Sequence, residues 1–346
     1  ALAAVTEGRF QTLDGALNRG YTNAPSWLHV RLLNASGQAL VRYLLLEPVY
    51  LDEVDVFVVT DGILTEHRFG DHRPVNEREL PQSRMVLPLV LGAGGSMDLL
   101  FRVRTFSTHV FEARLLDASE LQRSLQWWLL LHGGFVAVAL ALFLMHLLLA
   151  IRLRDQVLSV YALYVLSLGV GYAAVKGVVA LTLPSLTHHL NDWLVSFGTG
   201  LSFALIALLV MVIFETRTRH RWAHAFLWLL ILLGLAAFAS TGRALYPMFA
   251  EWLFLAGLPF LYVALALAWV RYRAGDPAGR LFLLAFSASG LGASISFLRI
   301  LGFLPANPIT QHSLQVSSFV HMIVMGLALS ERVLAAEEKA RPITIM

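Results

Sequence analysis

The chain of 346 residues contains seven long stretches that lack Asp, Glu, Lys and Arg. An α-helix needs about 20 apolar residues to cross the hydrocarbon core of a bilayer, and six of the stretches suit one crossing each. The seventh is interrupted by Pro305, Asn307 and Pro308, which leaves a helix near Gln311–Ser330. The stretches are Ser124–Ala150 (extended by Ile151), Gln156–Val175, Trp193–Phe214, Trp222–Gly242, Trp252–Val270, Leu281–Leu298 and Ile300–Ser330.

We therefore predict an all-α bundle of seven membrane-spanning helices within residues 124–334. Hydrophobic residues make up 57% of the chain and charged residues 14%, whereas a soluble protein has about 25% charged residues. These values exclude a disordered chain and a fibre. The absence of cysteine excludes disulfides and thiolate metal sites. The predicted spans are about 124–151, 157–181, 193–214, 222–241, 251–270, 280–300 and 311–331.

Basic residues are distributed unevenly between the two ends of the predicted helices. Eleven Lys and Arg residues fall on one side of the membrane, and three (Lys176, Arg243 and Arg299) fall on the other. Loops rich in Lys and Arg stay in the cytoplasm. We therefore expect a cytoplasmic C-terminus and an extracytoplasmic segment 1–123, of which 118–123 is a helical lead-in to the first span.

Residues 1–117, called the head below, have the pattern of an all-β domain. Asp61-Gly62 lies between two strand-like runs within Asp52–Phe69, and both turn positions tolerate a positive φ, as in a hairpin. Seven or so short strands predict an extracellular β-sandwich or jelly roll. The other predicted strands are Ser26–Leu33, Ala39–Glu47, Arg84–Leu91, Ser96–Thr105 and His109–Leu116.

The two ends of the chain also differ in charge. Residues 1–123 hold 12 Arg and 15 Asp or Glu, a net charge of −3, whereas residues 124–346 have a net charge of +6. An acidic segment outside the cell is not expected to bind nucleic acid. Ala1–Ala4 resembles the small-residue end of a secretory signal, so we expect a processed N-terminus.

Polar residues within the predicted spans are few. The sixth span has a face of small residues over Ser287–Ser296, for which packing inside the bundle is favoured over a dimer interface. Three histidines, His132, His146 and His321, lie within spans. A neutral structural role is favoured for them over a proton or metal function.

Catalytic motifs such as the P-loop, G-x-S-x-G and H-E-x-x-H are absent from the sequence. We predict no enzyme activity in this chain, no cofactor and no metal. His188-His189 with Asp192 could bind zinc, but a polar loop is the favoured interpretation. Asp52, Glu53 and Asp55 could bind calcium, but strand alternation sends Asp52 to the opposite face from the other two. A solvated strand start is favoured there.

Six residues of the head have the chemistry to bind a sugar, because rings stack on sugar faces and forked donors bond hydroxyls. Arg78 and Arg84 lie in or just after the segment Gly70–Gln82, and loops often carry binding residues. For Trp27, a position in the core is the favoured alternative. The candidate residues are Tyr21, Trp27, Asp71, Arg78, Arg84 and Arg104.

Short motifs follow one another along the head in an order that carries a family likeness. They are Gly20-Tyr21-Thr22, Trp27–Val30, Leu51–Val56, the hairpin, Gly70-Asp71 with Pro74, Ser83-Arg84 before Leu87–Leu89, and Arg102–Thr105. The head resembles the second type of extracellular domain of bacterial seven-transmembrane receptors with diverse intracellular signalling modules. The seven helices and the closing segment Ala328–Lys339 are similar to the membrane module of that family. His29 departs from the arginine that is more usual there.

The resemblance implies a receptor in the bacterial inner membrane. Its periplasmic domain would be similar to carbohydrate-binding jelly rolls, and its output module would be a histidine kinase or a diguanylate cyclase. Such outputs commonly work in pairs, so a homodimer is expected. Only 16 residues follow Ser330, and we expect 335–346 to be the start of a signalling helix whose output module lies outside this chain.

We predict that a small molecule, such as a saccharide, binds the head and that the last helix relays the binding event through the lipid bilayer. A membrane adaptor and a transporter with a periplasmic ligand-binding head are the alternatives. The lack of charged residues near the middle of the spans argues against an ion pathway.

Overall fold

The computed structural model describes most of the head and the bundle. Some features predicted from the sequence lie outside the described residues: the processed N-terminus at Ala1–Ala4, Pro74 and Ser83 of the family motifs, and the last positions of the second predicted span. So do the side chains of the candidate zinc pair His188-His189. The described residues are 7, 10–13, 15–22, 24–73, 75, 78–80, 84–179, 188–276 and 278–340, with the backbone alone at 188–189 and 334–340.

The head is a sandwich of two four-stranded antiparallel sheets, which confirms the predicted fold class. One sheet has the order β1-β8-β3-β6 and the other the order β2-β7-β4-β5. The sequence predicted seven strands and missed β1, which is short and contains Gly20 at a φ of 63°. The strands are β1 Leu17–Tyr21, β2 Ser26–Leu33, β3 Leu40–Glu47, β4 Glu53–Thr60, β5 Ile63–Phe69, β6 Met85–Leu91, β7 Ser96–Arg104 and β8 Thr108–Leu116.

The predicted hairpin is confirmed as the connection between β4 and β5. Thr60 pairs with Ile63 around the turn, and both turn residues have positive φ, 51° at Asp61 and 79° at Gly62. This two-residue turn matches the twist of the strands on either side. The hairpin places β5 beside β4, at the edge of the second sheet.

The core of the head lies between the two sheets, and one sheet is also covered on its outer face. Leu45 of β3 and Val86 of β6 point away from the sandwich core and pack against Leu121 of the first helix. A sheet buried on both faces carries continuous apolar runs, which explains Leu44–Leu46. The interior is lined by side chains from both sheets, among them Leu44, Leu46, Val54, Val56, Leu87, Leu99, Phe101 and Phe111.

Within the described residues, seven helices are long and apolar enough to cross a membrane, as predicted. A short helical turn, Thr216–Arg219, lies between the third and the fourth. The helices are α1 Ala118–Leu153, α2 Gln156–Val175, α3 Leu190–Ile213, α4 Arg221–Ala239, α5 Tyr246–Arg273, α6 Gly279–Ile300 and α7 Pro308–Ala340.

The head passes directly into α1 without a linker. Asp117, the residue after β8, caps the helix: its Oδ1 atom accepts a hydrogen bond from the backbone N–H of Glu120 (2.8 Å). The Glu120 side chain accepts one in return from the backbone N–H of Asp117 (2.9 Å). This capping box fixes the direction in which the chain enters the helix. The segment 118–123, assigned from sequence to a helical lead-in, forms the first turns of α1.

Small residues bring the helices into close contact. A Cβ atom on Gly171 of α2 would lie 2.3 Å from Cα of Gly198 of α3, so the two backbones touch at this crossing. On α6, a Cβ atom on Gly292 would lie 2.4 Å from Cβ of Ser317 of α7. The small-residue face of α6 thus packs inside the bundle at Gly292, as the sequence favoured.

Candidate functional site

The six candidate residues of the head do not form one site. Tyr21, Asp71 and Arg84 lie on the side of the head that faces the bundle, where their neighbours include residues of α1, α3 and α6. Arg78 is buried and donates a hydrogen bond to the carbonyl of Gly70 (2.9 Å). The remaining two, Trp27 and Arg104, lie on the open face of the β2-β7-β4-β5 sheet.

Trp27 lies at the surface, so the interpretation of this residue as part of the core was wrong. Its side chain is 40% exposed and stacks on Phe57 of β4, with ring centroids 5.8 Å apart and an interplanar angle of 21°. The neighbouring Ser26 is the buried residue at the start of β2. Because side chains alternate along a strand, burial of Ser26 turns Trp27 outward.

Arg102 lies on the same face, but it was not among the binding residues predicted from the sequence. It lies opposite Trp27 in the pairing of β2 with β7. Its guanidinium donates to Asp55 Oδ2 (2.8 Å) and lies 3.6 Å from Glu53 Oε2, while Arg104 lies 3.9 Å from the other oxygen of Glu53. We call Trp27, Phe57, Arg102 and Arg104 the sheet-face cluster. Its signal in the sequence was the two-residue spacing of Arg102 and Arg104.

The prediction that Asp52, Glu53 and Asp55 are solvated at the start of a strand is wrong for Asp52 and Asp55. Asp52 and Asp55 are only 5% and 2% exposed. Asp52 accepts hydrogen bonds from Thr105 Oγ1 (2.9 Å) and from the backbone N–H of Phe106 (2.8 Å). Asp55 accepts hydrogen bonds from Arg73 and Arg102, so both carboxylates are structural acceptors within the head.

Asp52 lies beside Asp71 and His72, and ligand atoms of the three residues lie within 4.8 Å of one another. Burial raises the pKa of both carboxyl groups. Burial alone would lower the pKa of His72, but its hydrogen bond to Asp192 and the nearby carboxylates outweigh this and raise it to about 9. At neutral pH the imidazolium therefore offsets part of the negative charge of the neighbouring carboxylates.

Several polar contacts hold the head against the bundle. Asn18 of β1 donates from Nδ2 to the carbonyls of Arg299 (3.0 Å) and Leu304 (2.8 Å). Gln311 of α7 donates to Glu112 of β8 (3.4 Å). Three further pairs join the two domains: Arg84 with Ser124, Asn191 with Asp71, and His72 with Asp192.

A cavity of about 250 Å³ lies between the head and the outer half of the bundle. Tyr21, Tyr50 and Thr108 of the head form its roof, and residues of α2, α3, α5, α6 and α7 form its walls. Ligand pockets in proteins are typically clefts of about this size or somewhat larger. We call this space the roofed cavity.

The roofed cavity has a polar upper part and an aromatic lower part. Lys176, Arg299, Gln311 and Gln315 lie near the roof. The lower walls carry mainly aromatic side chains: Tyr164, Phe203, Phe254, Phe286 and Phe297. His321 of α7 lies at the same depth as Tyr164 of α2.

Below the roofed cavity the bundle is filled. The hydroxyl of Tyr161 donates to the carbonyl of Met322 (2.5 Å), and both residues are fully buried. Met325, Ala328 and Leu329 of α7 are also fully buried further along the helix. The cavity therefore ends inside the bundle and does not continue to its far end.

Two π-helical turns lie beside the roofed cavity. Phe197–Leu201 forms one in α3 and contributes Gly198 and Thr199 to the wall. Leu129–Gly133 forms the other in α1, and the carbonyl of Leu131 accepts a hydrogen bond from Nε2 of Gln315 (2.9 Å). Single π-helical turns are frequent at functional sites.

The three intramembrane histidines each make a hydrogen bond, two of them to a neighbouring helix. His132 pairs with the hydroxyl of Tyr172 (2.8 Å), and His146 pairs with the carbonyl of Leu142 (2.8 Å). His321 donates from Nδ1 to the carbonyl of Ala285 (3.2 Å). Each bond is of the kind expected for a neutral structural histidine.

Comparison with known protein families assigns both parts of the chain. The model of the extracellular domain described as 7TMR-DISM extracellular 2 matches residues 2–117. The model described as 7TM diverse intracellular signalling matches residues 128–332. No curated protein sequence matches the chain. The chain therefore belongs to the 7TM diverse intracellular signalling family and is a multi-pass membrane receptor with an N-terminal extracellular domain.

Proposed function

We propose that this receptor senses a small extracytoplasmic molecule, with a saccharide as the favoured class, and relays its binding through α7. The head is periplasmic, the C-terminus is cytoplasmic, and the bundle lies in the bacterial inner membrane as a homodimer. The output module is of the histidine kinase or diguanylate cyclase type. The observation that carries the relay is that α7 begins against the head and is continuous to Ala340.

The sheet-face cluster supports a saccharide ligand. Trp27, which is exposed, and Phe57, which is half-buried, form an aromatic platform, and two arginines lie beside it. Aromatic rings offer apolar faces to a pyranose ring, and guanidinium groups donate several hydrogen bonds in a fixed geometry. The neighbouring carboxylate of Glu53 provides acceptors for sugar hydroxyls.

Two loops connect this face to the roofed cavity. β4 begins at Glu53, directly after the loop that contains Tyr50. β7 ends at Arg104, directly before the loop that contains Ser107 and leads to Thr108, the first residue of β8. A ligand that binds more tightly to one position of β4 and β7 would therefore move Tyr50 and Thr108 in the roof. Such a ligand changes the equilibrium only by its different affinity for the two states.

The filled lower half of the bundle favours a receptor over a transporter. Tyr161, Met322 and Met325 are fully buried below the roofed cavity. At the far end, Arg332 of α7 lies 3.2 Å from Asp155 at the start of α2. A relay needs α7 to move as a helix, whereas transport needs a path past these side chains.

Saccharide recognition is tested on an array of neutral mono- and oligosaccharides, probed with the purified chain in nanodiscs. Trp27→Ala removes the platform, so binding should weaken about tenfold. Leu33→Ala is the matched control, because Leu33 lies on the same strand face and is 73% exposed. Equal loss in both variants, or no loss in Trp27→Ala, contradicts this part of the proposal.

The relay is tested without a ligand in a chimera that carries a diguanylate cyclase reporter after Ala340. A flexible Gly/Ser segment inserted between Asp117 and Ala118 uncouples the head from α1, so the basal reporter output should change several-fold. The same segment inserted at the exposed Asp61-Gly62 turn is the control and should leave output unchanged. Unchanged output in both chimeras at equal membrane levels would overturn the relay.

A further inference from the structure

The roofed cavity contains two cationic side chains without a carboxylate partner in the described part of the chain. Lys176 has its ammonium 5.8 Å from the ring centroid of Tyr172. Arg299 contributes a guanidinium whose Nε atom is buried and makes no hydrogen bond to any described residue. A buried donor without a partner is costly, so this position favours an acceptor supplied from outside the chain.

Three acidic residues of the head and α3 are engaged with other cations. Glu47 pairs with Arg84 and lies 2.6 Å from Arg114. Glu112 lies 3.8 Å from Arg114, and Asp192 pairs with His72. None of these carboxylates lines the cavity. Its upper part is therefore electropositive within the part of the chain that the structure describes.

The tyrosines of the roof do not neutralise this charge. Burial raises the pKa of Tyr21 well above its usual value. Burial also raises the pKa of Tyr50, and the hydrogen bond and positive charge of Arg299 only partly offset the rise. Both hydroxyls therefore stay protonated at neutral pH and place no negative charge beside the two cations.

The cavity continues from the cations into an apolar space. Twelve residues of α2 separate Tyr164 from Lys176, which corresponds to about 18 Å along the helix axis. Phe203, Phe254 and Phe297 form one aromatic wall of the lower part, with ring centroids 5.1 to 5.7 Å apart. An inorganic anion would leave this wall uncovered.

We propose that the roofed cavity binds a small organic anion: a carboxylate held by Lys176 and Arg299, with an apolar body against the aromatic wall. This site is distinct from the sheet-face cluster, and it goes beyond the proposed saccharide recognition. A molecule bound here touches the head, α6 and α7 at once. It would therefore stabilise the docked arrangement of head and bundle.

The test measures thermal unfolding of the purified chain in nanodiscs with naphthoate and with decanoate. Each acid is compared with its neutral amide, which enters the bilayer at least as readily, and with acetate, which has the charge without the body. A ligand that binds the folded state raises Tm. We expect a concentration-dependent rise with at least one of the two acids and none with its amide or with acetate.

Variants locate the binding to the cavity. Lys176→Met should weaken acid binding about tenfold or more, because a charge-assisted hydrogen bond is lost, and Lys176→Arg should retain it. Arg243→Met is the matched control, since Arg243 is an exposed cation on the same side of the bundle. If Lys176→Met does not fold, the comparison of acid with amide in the unmodified chain still decides the question.

Four results would overturn the proposal: no rise with either acid, an equal rise with the amides, an equal rise with acetate, or full acid binding in a folded Lys176→Met variant. An equal rise with acetate would indicate a simple anion site. The relay test uses reporter output with no carboxylate present, and the saccharide test uses neutral sugars. Failure of the anion site is therefore distinguishable from failure of the proposed function.

Discussion

Nε2 of His72 in the head lies 3.1 Å from Oδ2 of Asp192 near the start of α3. The two residues are 120 positions apart in the sequence and belong to different domains. Asn191, next to Asp192, donates to Asp71 of the head (3.0 Å). A charged pair and a hydrogen bond thus join one loop of the head to one helix of the bundle.

This pair should make the stability of the receptor depend on pH. Burial opposes protonation of His72, but its partners raise the pKa to about 9, above the unfolded value of 6.5. A raised pKa stabilises the folded state fully below pH 6.5, and this contribution is lost as the pH rises through 9. The Tm difference between the unmodified chain and His72→Gln should shrink over that interval. A Tm difference for His72→Gln that stays constant from pH 6.5 to pH 9 contradicts the prediction.

The buried ion pair of Arg84 with Glu47 should contribute far more to stability than an exposed pair. Arg84 is 2% exposed, and it also donates to Ser124 of α1 (3.0 Å). Arg84→Met removes this pair and the bond to Ser124, but Glu47 keeps Arg114 as a partner in the described residues, so we expect a cost of about 1–3 kcal/mol. Arg68→Met, which removes an exposed pair with Glu66, should shift the unfolding midpoint much less, because water and salt screen an exposed pair. Pulse proteolysis in urea measures both; equal midpoints would show that Arg84 is not a structural anchor.

Asn18 should be needed for docking of the head on the bundle. Asn18→Ala removes the donor to the carbonyls of Arg299 and Leu304, and the loss of two hydrogen bonds costs about 1–3 kcal/mol. Hydrogen exchange should become faster in residues 299–304, while the interior of the sandwich is unchanged. Thr65→Ala removes a weaker bond within the far hairpin (3.4 Å) and serves as the control. Unchanged exchange in residues 299–304 would mean that other contacts hold the head.

Local sequence patterns predicted the elements of the fold. Seven charge-free stretches gave the helices, because hydrocarbon excludes charged side chains over about 20 residues. The hairpin followed from Asp61-Gly62, since few residue pairs accept two positive φ angles. Both signals are contained within one short segment, so no knowledge of tertiary contacts was required.

Long-range contacts were beyond the reach of such patterns. Tyr21 was selected from the sequence as a ligand-binding candidate of the head alone, whereas it lies in the roof of a cavity that Arg299 of the bundle also lines. Lys176 and Arg299 were read only as markers of membrane orientation. Their meeting depends on how the head docks, which rests on pairs such as Asn18 and Leu304, 286 residues apart. Trp27 was assigned to the wrong face because a single strand does not specify which of its two faces is buried.

The crossing of α2 and α3 leads to the last prediction. A Cβ atom on Gly171 would lie 2.3 Å from Cα of Gly198, and both glycines line the roofed cavity. Gly171→Ala therefore forces the two backbones apart, and overpacking of this kind costs about 1–3 kcal/mol. Gly290→Ala is the matched control, because a Cβ atom at that position of α6 meets nothing within 4 Å. Thermal unfolding in nanodiscs should give a lower Tm for Gly171→Ala and an unchanged or higher Tm for Gly290→Ala.

Since separation of α2 from α3 also displaces Lys176, the Gly171→Ala variant should bind naphthoate or decanoate more weakly than the Gly290→Ala control does. An unchanged Tm for Gly171→Ala would mean that the helices do not meet at these two glycines.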